Sequence, residues 1–586
     1  MLTVERSRED LLREAADHQS RGDLAGAGQR WQSVLARFPD DPTANRALGR
    51  LAIRAGQVEA ARRHLETAAM GLPGDAAALV DWAQATFLSG DAGEAEALLR
   101  VALRLAPDLV PAQRGLLSLL QTSGRLVEAA EAAQRLGELV PEDEELRAVL
   151  IRLQLERGDD PPAGCPQPPA GVMHRMGRHL ERLGRLTEAV DCCVSALRRE
   201  PDRADTLVAL ALLHQRRGDP AAAVACHRRL LAADPAHAPS WSNLGNALEE
   251  LGRFDEALDA YGEAVRLEPA KALVRMNRAM LLLKLGRWRE GWEEYEWRWR
   301  VDGAKPPPGL APSWDGSPVG RRRLLLVAEQ GMGDTIQMLR YLPPVAATAD
   351  RSAGGEVCLM VPPSLQRLLA RFPGVTTLDP AQPLPPFDAE APLLSLPRLL
   401  GTEPGSVPAM PAPEAFAAAP GSGAAAWVRN GAGLRVGLAW AGNPGHVNDR
   451  RRSAPLSLLE PILSVPGCGL YSLQKGGRAA DADRFADRLT RLDHHLGDMA
   501  DTAAVIRALD MVISVDTGVA HLAAALGKPT WLLLPFAGEW RWLAEGEATP
   551  WYPSMRLFRQ ARRNDWPELA ARVAGALARH AGAGTS

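Results

Sequence analysis

Glycine and proline recur through the first half of the chain with a period of 34 residues. Prolines stand at 39, 73, 107 and 141, and again at 201, 235 and 269. Glycines stand at 22, 56, 90, 124 and 158, and again at 184, 218, 252 and 286. Two registers kept together over that distance restrict the first half to one repeated supersecondary unit. Each unit reads as helix, Gly turn, helix, Pro turn. The stretch WSNLGNALEELGRFDEALDAYGEAVRLEP (241–269) shows the pattern. Trp241, Leu244, Gly245 and Leu248 form one helix face, and Ala257, Tyr261 and Ala264 form the facing one. Gly252 supplies the turn, and Pro269 ends the unit because it cannot continue a helix. Small residues at the facing positions let the paired helices approach closely.

The phase breaks once. Gly158 and Gly184 are 26 residues apart, and DDPPAGCPQPPAG (159–171) lies between them. The pattern predicts two repeat arms, 8–158 and 172–300, joined by a stiff Pro/Gly linker at 159–171. The units resemble the tetratricopeptide repeat over roughly residues 8–300. That resemblance implies a concave groove suited to peptide or protein, faced by the sixth position of each first helix. Asn243 and Asn277 occupy that position, where amides can grip a peptide backbone; the alternative is a pair of solvated asparagines. The array ends in LGRWREGWEEYEWRWR (285–300). Trp288, Trp292, Tyr295 and Trp299 fall on one helical stripe, expected to pack the last helix against the next domain.

A chain of 586 residues is too long for one core, so several domains are expected. A formal net charge of −3 gives no general reason to bind nucleic acid or an anionic membrane. Six scattered cysteines (165, 192, 193, 226, 358 and 468) show neither zinc-site spacing nor a disulfide framework. The start MLTVERSRED lacks a basic-then-apolar signal, and no uncharged apolar run is long enough to span a membrane. The expected compartment is the cytoplasm.

After the linker VDGAKPPPGLAPSWDGSPVG (301–320), short apolar runs alternate with helical stretches. RLLLVAEQG (323–331), EVCLMVP (356–362) and LLSL (393–396) read as strands. A Pro/Ala/Gly-rich stretch covers 403–433. The pattern then restarts with strands at LRVGLAW (434–440), LYSLQ (470–474), MVISVD (511–516) and TWLLLP (530–535). This is the alternation of a parallel sheet. The fold class expected is an α-solenoid followed by α/β, with two Rossmann-like units at 321–415 and 432–586. Ligands of such sheets bind at the carboxyl ends of the strands.

Three stretches carry the chemistry. In SVDTGVAHLAAALGKP (514–529), a strand ends at Asp516 and a helix starts at Thr517–Gly518. Helix N-terminal amides suit a pyrophosphate, and His521 lies one turn in. GLAWAGNPGHVNDRRRSAPLSLLE (437–460) is a strand followed by a long polar loop. Asn443, Asn448, Arg450, Arg451 and Arg452 stand there above the same sheet edge, and arginine forks suit phosphate oxygens. In EQGMGDTIQMLRYLP (329–343), Asp334 stands where a strand hands over to a helix, as either a cap or a base. DAD (481–483) lies in a helical run and reads as a solvated face, so no metal ligands are expected.

These stretches resemble glycosyltransferase family 9, the heptosyltransferase-like enzymes, over residues 320 to about 560. The combination with repeats resembles a bacterial group of repeat-plus-glycosyltransferase proteins, to which GWEEYEWRW, EQGMGD and PWYPSMRLFRQ also fit. The resemblance implies the B-type glycosyltransferase fold, a nucleotide-sugar donor and inversion at the anomeric carbon. It implies no metal and no cofactor. It assigns Asp334 as catalytic base. Asp516, Thr517, Gly518 and His521 become donor contacts, joined by Asn443 and an arginine among Arg450, Arg451 and Arg452. Met499 and Gln474 become candidates for the nucleotide edge, and Trp540, Arg541 and Trp542 for a lid. The acceptor implied is a protein held by the repeats, for which flagellin is one candidate. Two rivals stand beside a transferase: an inactive repeat scaffold, and a nucleotide-sugar epimerase on the same fold.

Overall fold

The computed structural model describes residues 7–143, 145–146, 149–150, 153, 169–416, 427–428, 433–445 and 449–583. The linker stretch 159–168, with Cys165, lies outside the described residues, as does part of 403–433. The chain forms two compact units, 1–219 and 220–586.

The first unit is a run of antiparallel helix pairs. Arg8–Ser20 pairs with Leu24–Arg37, Pro42–Arg54 with Val58–Met70, and Ala76–Leu88 with Ala92–Leu105. Val110–Thr122 pairs with Leu126–Leu139, and Ala170–Arg182 with Leu186–Arg199. The second unit opens with the same architecture. Ala238–Glu250 pairs with Phe254–Leu267, and Ala272–Lys284 with Trp288–Tyr295.

The 34-residue register has a visible cause. Gly252 takes a φ of 74°, which costs a residue with Cβ. Its N–H donates to the Glu249 carbonyl (3.0 Å), and the Arg253 N–H reaches back to Leu248 (2.9 Å). This reversal satisfies helix-end carbonyls and turns the chain into the second helix. The small positions are set by close approach. A Cβ on Gly245 would lie 2.6 Å from the Tyr261 ring. Gly245→Val is therefore expected to overpack that helix pair and destabilise it by about 1–3 kcal/mol. A lower melting temperature of the second unit in calorimetry of the full chain checks it; an unchanged transition contradicts it.

The remainder of the second unit holds two parallel sheets. The first has β1 (Arg323–Val327), β2 (Glu356–Met360), β3 (Thr376–Leu378) and β4 (Ala389–Pro392), in the order β3-β2-β1-β4. The second has β5 (Leu434–Ala439), β6 (Cys468–Ser472), β7 (Leu489–Arg491), β8 (Met511–Val515), β9 (Thr530–Leu534) and β10 (Met555–Arg559), in the order β10-β9-β8-β5-β6-β7. Every strand pair is parallel. Parallel strands need both faces covered, which explains why β8 and β9 are buried along their whole length. The strand order reverses at β1 in the first sheet and between β5 and β8 in the second. Loops on either side of such a reversal diverge and leave a crevice.

The strand expected at LLSL is a correction. Leu393–Ser395 is a 3₁₀ turn, and the strand is the preceding Ala389–Pro392. Its ladder partner β1 ends at Val327, opposite Pro392, so the pairing stops there. The helical run expected around DAD (481–483) is also a correction. Gly477–Phe485 is 3₁₀, and Leu489–Arg491 is the edge strand β7. Among the described residues, no helix is long and apolar enough to cross a membrane.

The last repeat helix packs on the connection between β9 and β10. Trp288 stacks on Trp551 (centroids 4.8 Å), and Trp292 meets Trp540 edge-on at 5.1 Å. Beside this cluster lies a buried polar knot. Arg298, with a side chain 5% exposed, pairs with Glu329 at 2.9 Å and Glu296 at 2.8 Å. It also donates to the Ser395 hydroxyl at 2.7 Å. Burial pushes the Glu329 carboxyl upward, and Arg298 offsets this only in part. The knot fixes the carboxyl end of β1 against the end of the repeats.

Candidate active site

The chain leaves β1 through Ala328, Glu329 and Gln330, then enters the helix Met332–Met338. Gln330 has a φ of 59°, a rare conformation for a residue with a side chain. Its amide nitrogen donates to the Tyr295 hydroxyl at 3.0 Å, which ties the turn to the last repeat helix. The Gly331 N–H donates to Asp334 Oδ2 at 2.8 Å. Asp334 therefore caps its own helix with one oxygen. Its other oxygen, Oδ1, accepts from the Arg541 guanidinium.

The second sheet supplies the opposite wall. Asp516 follows β8, and the helix Gly518–Ala525 starts two residues later. Asp516 Oδ2 accepts from the Trp542 indole N–H at 2.8 Å. His521 Nε2 lies 3.7 Å from Asp516 Oδ1, and its Nδ1 meets the Tyr552 hydroxyl at 2.9 Å. Burial works against the Asp516 charge, but His521, Trp542 and Arg541 outweigh it and hold the carboxyl below the ordinary aspartate range. Thr517 has its hydroxyl 2.9 Å from Ser514.

The two helix starts meet face to face. A Cβ on Gly333 would lie 2.7 Å from the His521 ring. A Cβ on Gly518 would lie 3.2 Å from Met499 and 3.7 Å from the Gly333 nitrogen. The approach of the two walls thus requires glycine at 333, and at 518 a side chain would have to displace the Met499 tip. The space above Gly518, expected to receive a diphosphate, is filled in this conformation by Met332, Gly333 and Met499.

The turn at 539–542 joins the walls. Arg541, with a side chain 8% exposed, donates through Nη1 to Glu539 (2.6 Å), through Nε to Gln337 (3.1 Å) and through Nη2 to Asp334. Burial disfavours its charge, and the surrounding carboxylates more than restore it. Burial and Asp516 push the Glu539 carboxyl upward. Leu543, directly after this turn, has a φ of 59° and a ψ of 177°. Sparsely populated backbone at both Gln330 and Leu543 brackets the meeting of Asp334 with Arg541, as strain often does at functional sites.

The remaining expected residues fall in three places. In the arginine loop, Asn443 is exposed and accepts from the Gly445 N–H at 3.0 Å. Arg451 is exposed and lies 3.4 Å from Glu250 of a repeat helix. Arg452 is half-buried beside Asp449 at 3.7 Å and exerts an attraction on Glu539. The side chain of Arg450 and residues 446–448, including Asn448, lie outside the described residues. Gln474 is a backbone clamp, not a free edge. Its carbonyl accepts from the Trp440 and Ala441 N–H groups, and its amide donates to the Ala441 and Lys475 carbonyls. Trp540 is buried in the aromatic cluster, and so differs from the lid expected of it. Asn243 is half-buried. Asn277 donates to Asn246 (3.2 Å) and lines a cavity of about 650 Å³. That cavity runs from Met276 and Met280 of the repeat helix, past Pro306–Pro308, to Glu329 and Gln330 at the end of β1.

Sequence reasoning missed Glu539, Tyr552 and Gln337, and singled out Trp542 only as part of a lid. Only the run FAGEWRWL after β9, with two charges among aromatics, signals that side. Among the described residues, no group of three or more His, Cys, Asp or Glu could hold a metal ion.

The chain matches the tetratricopeptide repeat family at residues 19–79, 174–238 and 238–270. Residues 496–533 match glycosyltransferase family 9 (heptosyltransferase). Tetratricopeptide repeats and a glycosyltransferase family 9-like segment are present in this chain. That segment contains Met499, Asp516, Thr517, Gly518 and His521, and stops short of Arg541. The chain is similar to Protein FlbA of Caulobacter vibrioides, 28% identical over 430 residues, covering 68% of this chain and 71% of that protein. It is similar over 117 residues, at 29% identity, to the photosystem I assembly protein Ycf3 of a Synechococcus, covering 17% of this chain and 68% of that protein. Among solved structures, YrrB, described as a TPR protein with an unusual peptide-binding site, aligns at 17% identity and a TM-score of 0.23. That alignment covers 36% of this chain and 95% of YrrB.

Proposed function

We propose that the protein is a glycosyltransferase of the B-type fold, moving a sugar from a nucleotide-sugar to a protein acceptor with inversion. The observation that carries this reading is the meeting of Asp334 with the Asp516–His521 wall at the carboxyl ends of β1 and β8. The two sheets take the roles of Rossmann-like acceptor-side and donor-side domains. Asp334 is the base. It takes the proton of the acceptor hydroxyl while that oxygen bonds to the anomeric carbon. The bond from that carbon to the diphosphate breaks on the opposite face, and its electron pair leaves with the phosphate. The amides after Thr517, with His521 and Arg452, meet the charge that develops there. These protein groups supply the charge, so the reading needs no metal. For the donor to reach those amides, Met332 and Gly333 must move away from Gly518.

The acceptor enters by the cavity beside Asn277, which joins the repeat helices to the end of β1. The compartment proposed is the cytoplasm, where nucleotide-sugars are made available to soluble enzymes. Product analysis tests the reading. NMR of the glycosylated acceptor is expected to show the anomer opposite to that of the donor, with transfer unaffected by a chelator. A retained anomer, or transfer that stops with the chelator, contradicts it. Asn243→Ala with Asn277→Ala is expected to raise the acceptor KM several-fold and leave the donor KM unchanged.

A further inference from the structure

Both oxygens of Asp334 are engaged: Oδ2 by the Gly331 N–H and Oδ1 by Arg541. Each oxygen keeps one further lone pair, and the guanidinium on Oδ1 competes with an incoming hydroxyl for that oxygen. Gly331 is bound to Asp334 through the helix start itself, so the partner able to leave is Arg541. Its guanidinium has two further anchors, Glu539 and Gln337, that hold it at the site after such a release.

The charge balance points the same way. Asp334, Asp516 and Glu539 all act on Arg541, as does Tyr295. Tyr552, which hydrogen-bonds His521, feels Arg340, Arg541 and Asp334. Arg452 acts on Glu539 from the arginine loop. A diphosphate brought into this carboxylate-rich place needs a cation already there. Arg541 sits next in sequence to Trp542, which holds Asp516 at the end of the donor strand.

We infer that Arg541 is a shared cation, paired with Asp334 while the site is closed and passed to the donor diphosphate when it binds, which frees the carboxylate to accept the proton. This rests on the reading of Asp334 as base. A ligand shifts such an equilibrium only by its preference for one state. Asp334 and the diphosphate therefore compete for one guanidinium, and weakening one partner strengthens the other. Arg541 is a binding group for the donor and a positioning residue for Asp334.

The competition has a sign that a structural role would not produce. Calorimetry of the full chain with UDP, GDP and inorganic pyrophosphate would compare the parent, Asp334→Asn, Arg541→Gln and the double variant. Arg541→Gln is expected to weaken binding roughly tenfold or more, the scale of one charged hydrogen bond. Asp334→Asn is expected to tighten it several-fold, and that gain is expected to vanish in the double variant. If Arg541→Gln fails to fold, Arg541→Lys replaces it in both variants, and the gain from Asp334→Asn is expected to shrink. Inactive Asp334→Asn with unchanged or weaker binding overturns the shared cation alone. So does a gain that persists without Arg541, or a parent chain that binds none of the three probes. An Asp334→Asn chain that transfers as fast as the parent overturns the base reading, and this proposal with it.

Discussion

Asp334→Asn is expected to lower the rate of transfer by about 10²–10⁴-fold, the usual cost of losing a general base. The substitution isolates chemistry from architecture. An asparagine Oδ1 can still accept from the Gly331 N–H, so the helix start at Met332 keeps its cap. What is lost is the proton acceptor and the negative partner of Arg541. A steady-state transfer assay beside a thermal melt separates the outcomes. Loss of turnover with an unchanged melt supports the role; equal turnover removes it. A fall in melting temperature that accounts for the loss assigns Asp334 to the fold instead.

Arg298→Ala is expected to destabilise the second unit by about 3–5 kcal/mol, the range for breaking a buried ion pair from one side. The guanidinium is nearly inaccessible and so is its partner Glu329, while Glu296 keeps partial access to water. Removing it leaves Glu329, whose carboxyl burial already pushes upward, with only the Leu394 N–H for company. Glu329 precedes Gln330 and the Asp334 turn, so the damage is expected to reach the site. Calorimetry of the full chain checks the stability, and a transition unmoved by the substitution contradicts the estimate. Arg298→Met combined with Glu329→Gln is expected to cost less, because no buried charge is then stranded.

The repeats were legible because their punctuation is chemical. A left-handed turn selects glycine and a helix end admits proline, and both recur at 34 residues. Of the stripe Trp288, Trp292, Tyr295 and Trp299, the first three were legible as packing, with Trp551 and Trp540 as partners, whereas Trp299 falls in the 3₁₀ turn Glu296–Arg300 and lines the cavity instead. Strand ends were less legible. An apolar run such as LLSL reads as a strand, and its neighbour Pro392 does not say that the ladder stops there. The short strands β3 and β7 pair on one side only and lack a strong apolar run. Asp334 stood out by position, at a strand-to-helix turn. Its pairing did not, because Arg541, singled out only as part of a lid, is 207 residues away and no local spacing links the two. Gln474 shows the opposite failure. A polar residue at a strand end looks like a ligand contact, whereas here all its hydrogen-bonding capacity holds the loops after β5 and β6.

On the proposed reading, this site splits a nucleotide-sugar and hands the sugar on. Phosphorus NMR of a nucleotide-sugar panel incubated with the full chain and its captured acceptor tests it most directly. One donor is expected to lose its sugar-linked phosphate resonance and gain that of a free nucleoside diphosphate, in step with acceptor glycosylation, and Asp334→Asn is expected to abolish both. A donor converted to an isomer with its diphosphate linkage intact, or a panel left unchanged beside a bound acceptor, would contradict it and favour an epimerase or an inactive scaffold respectively.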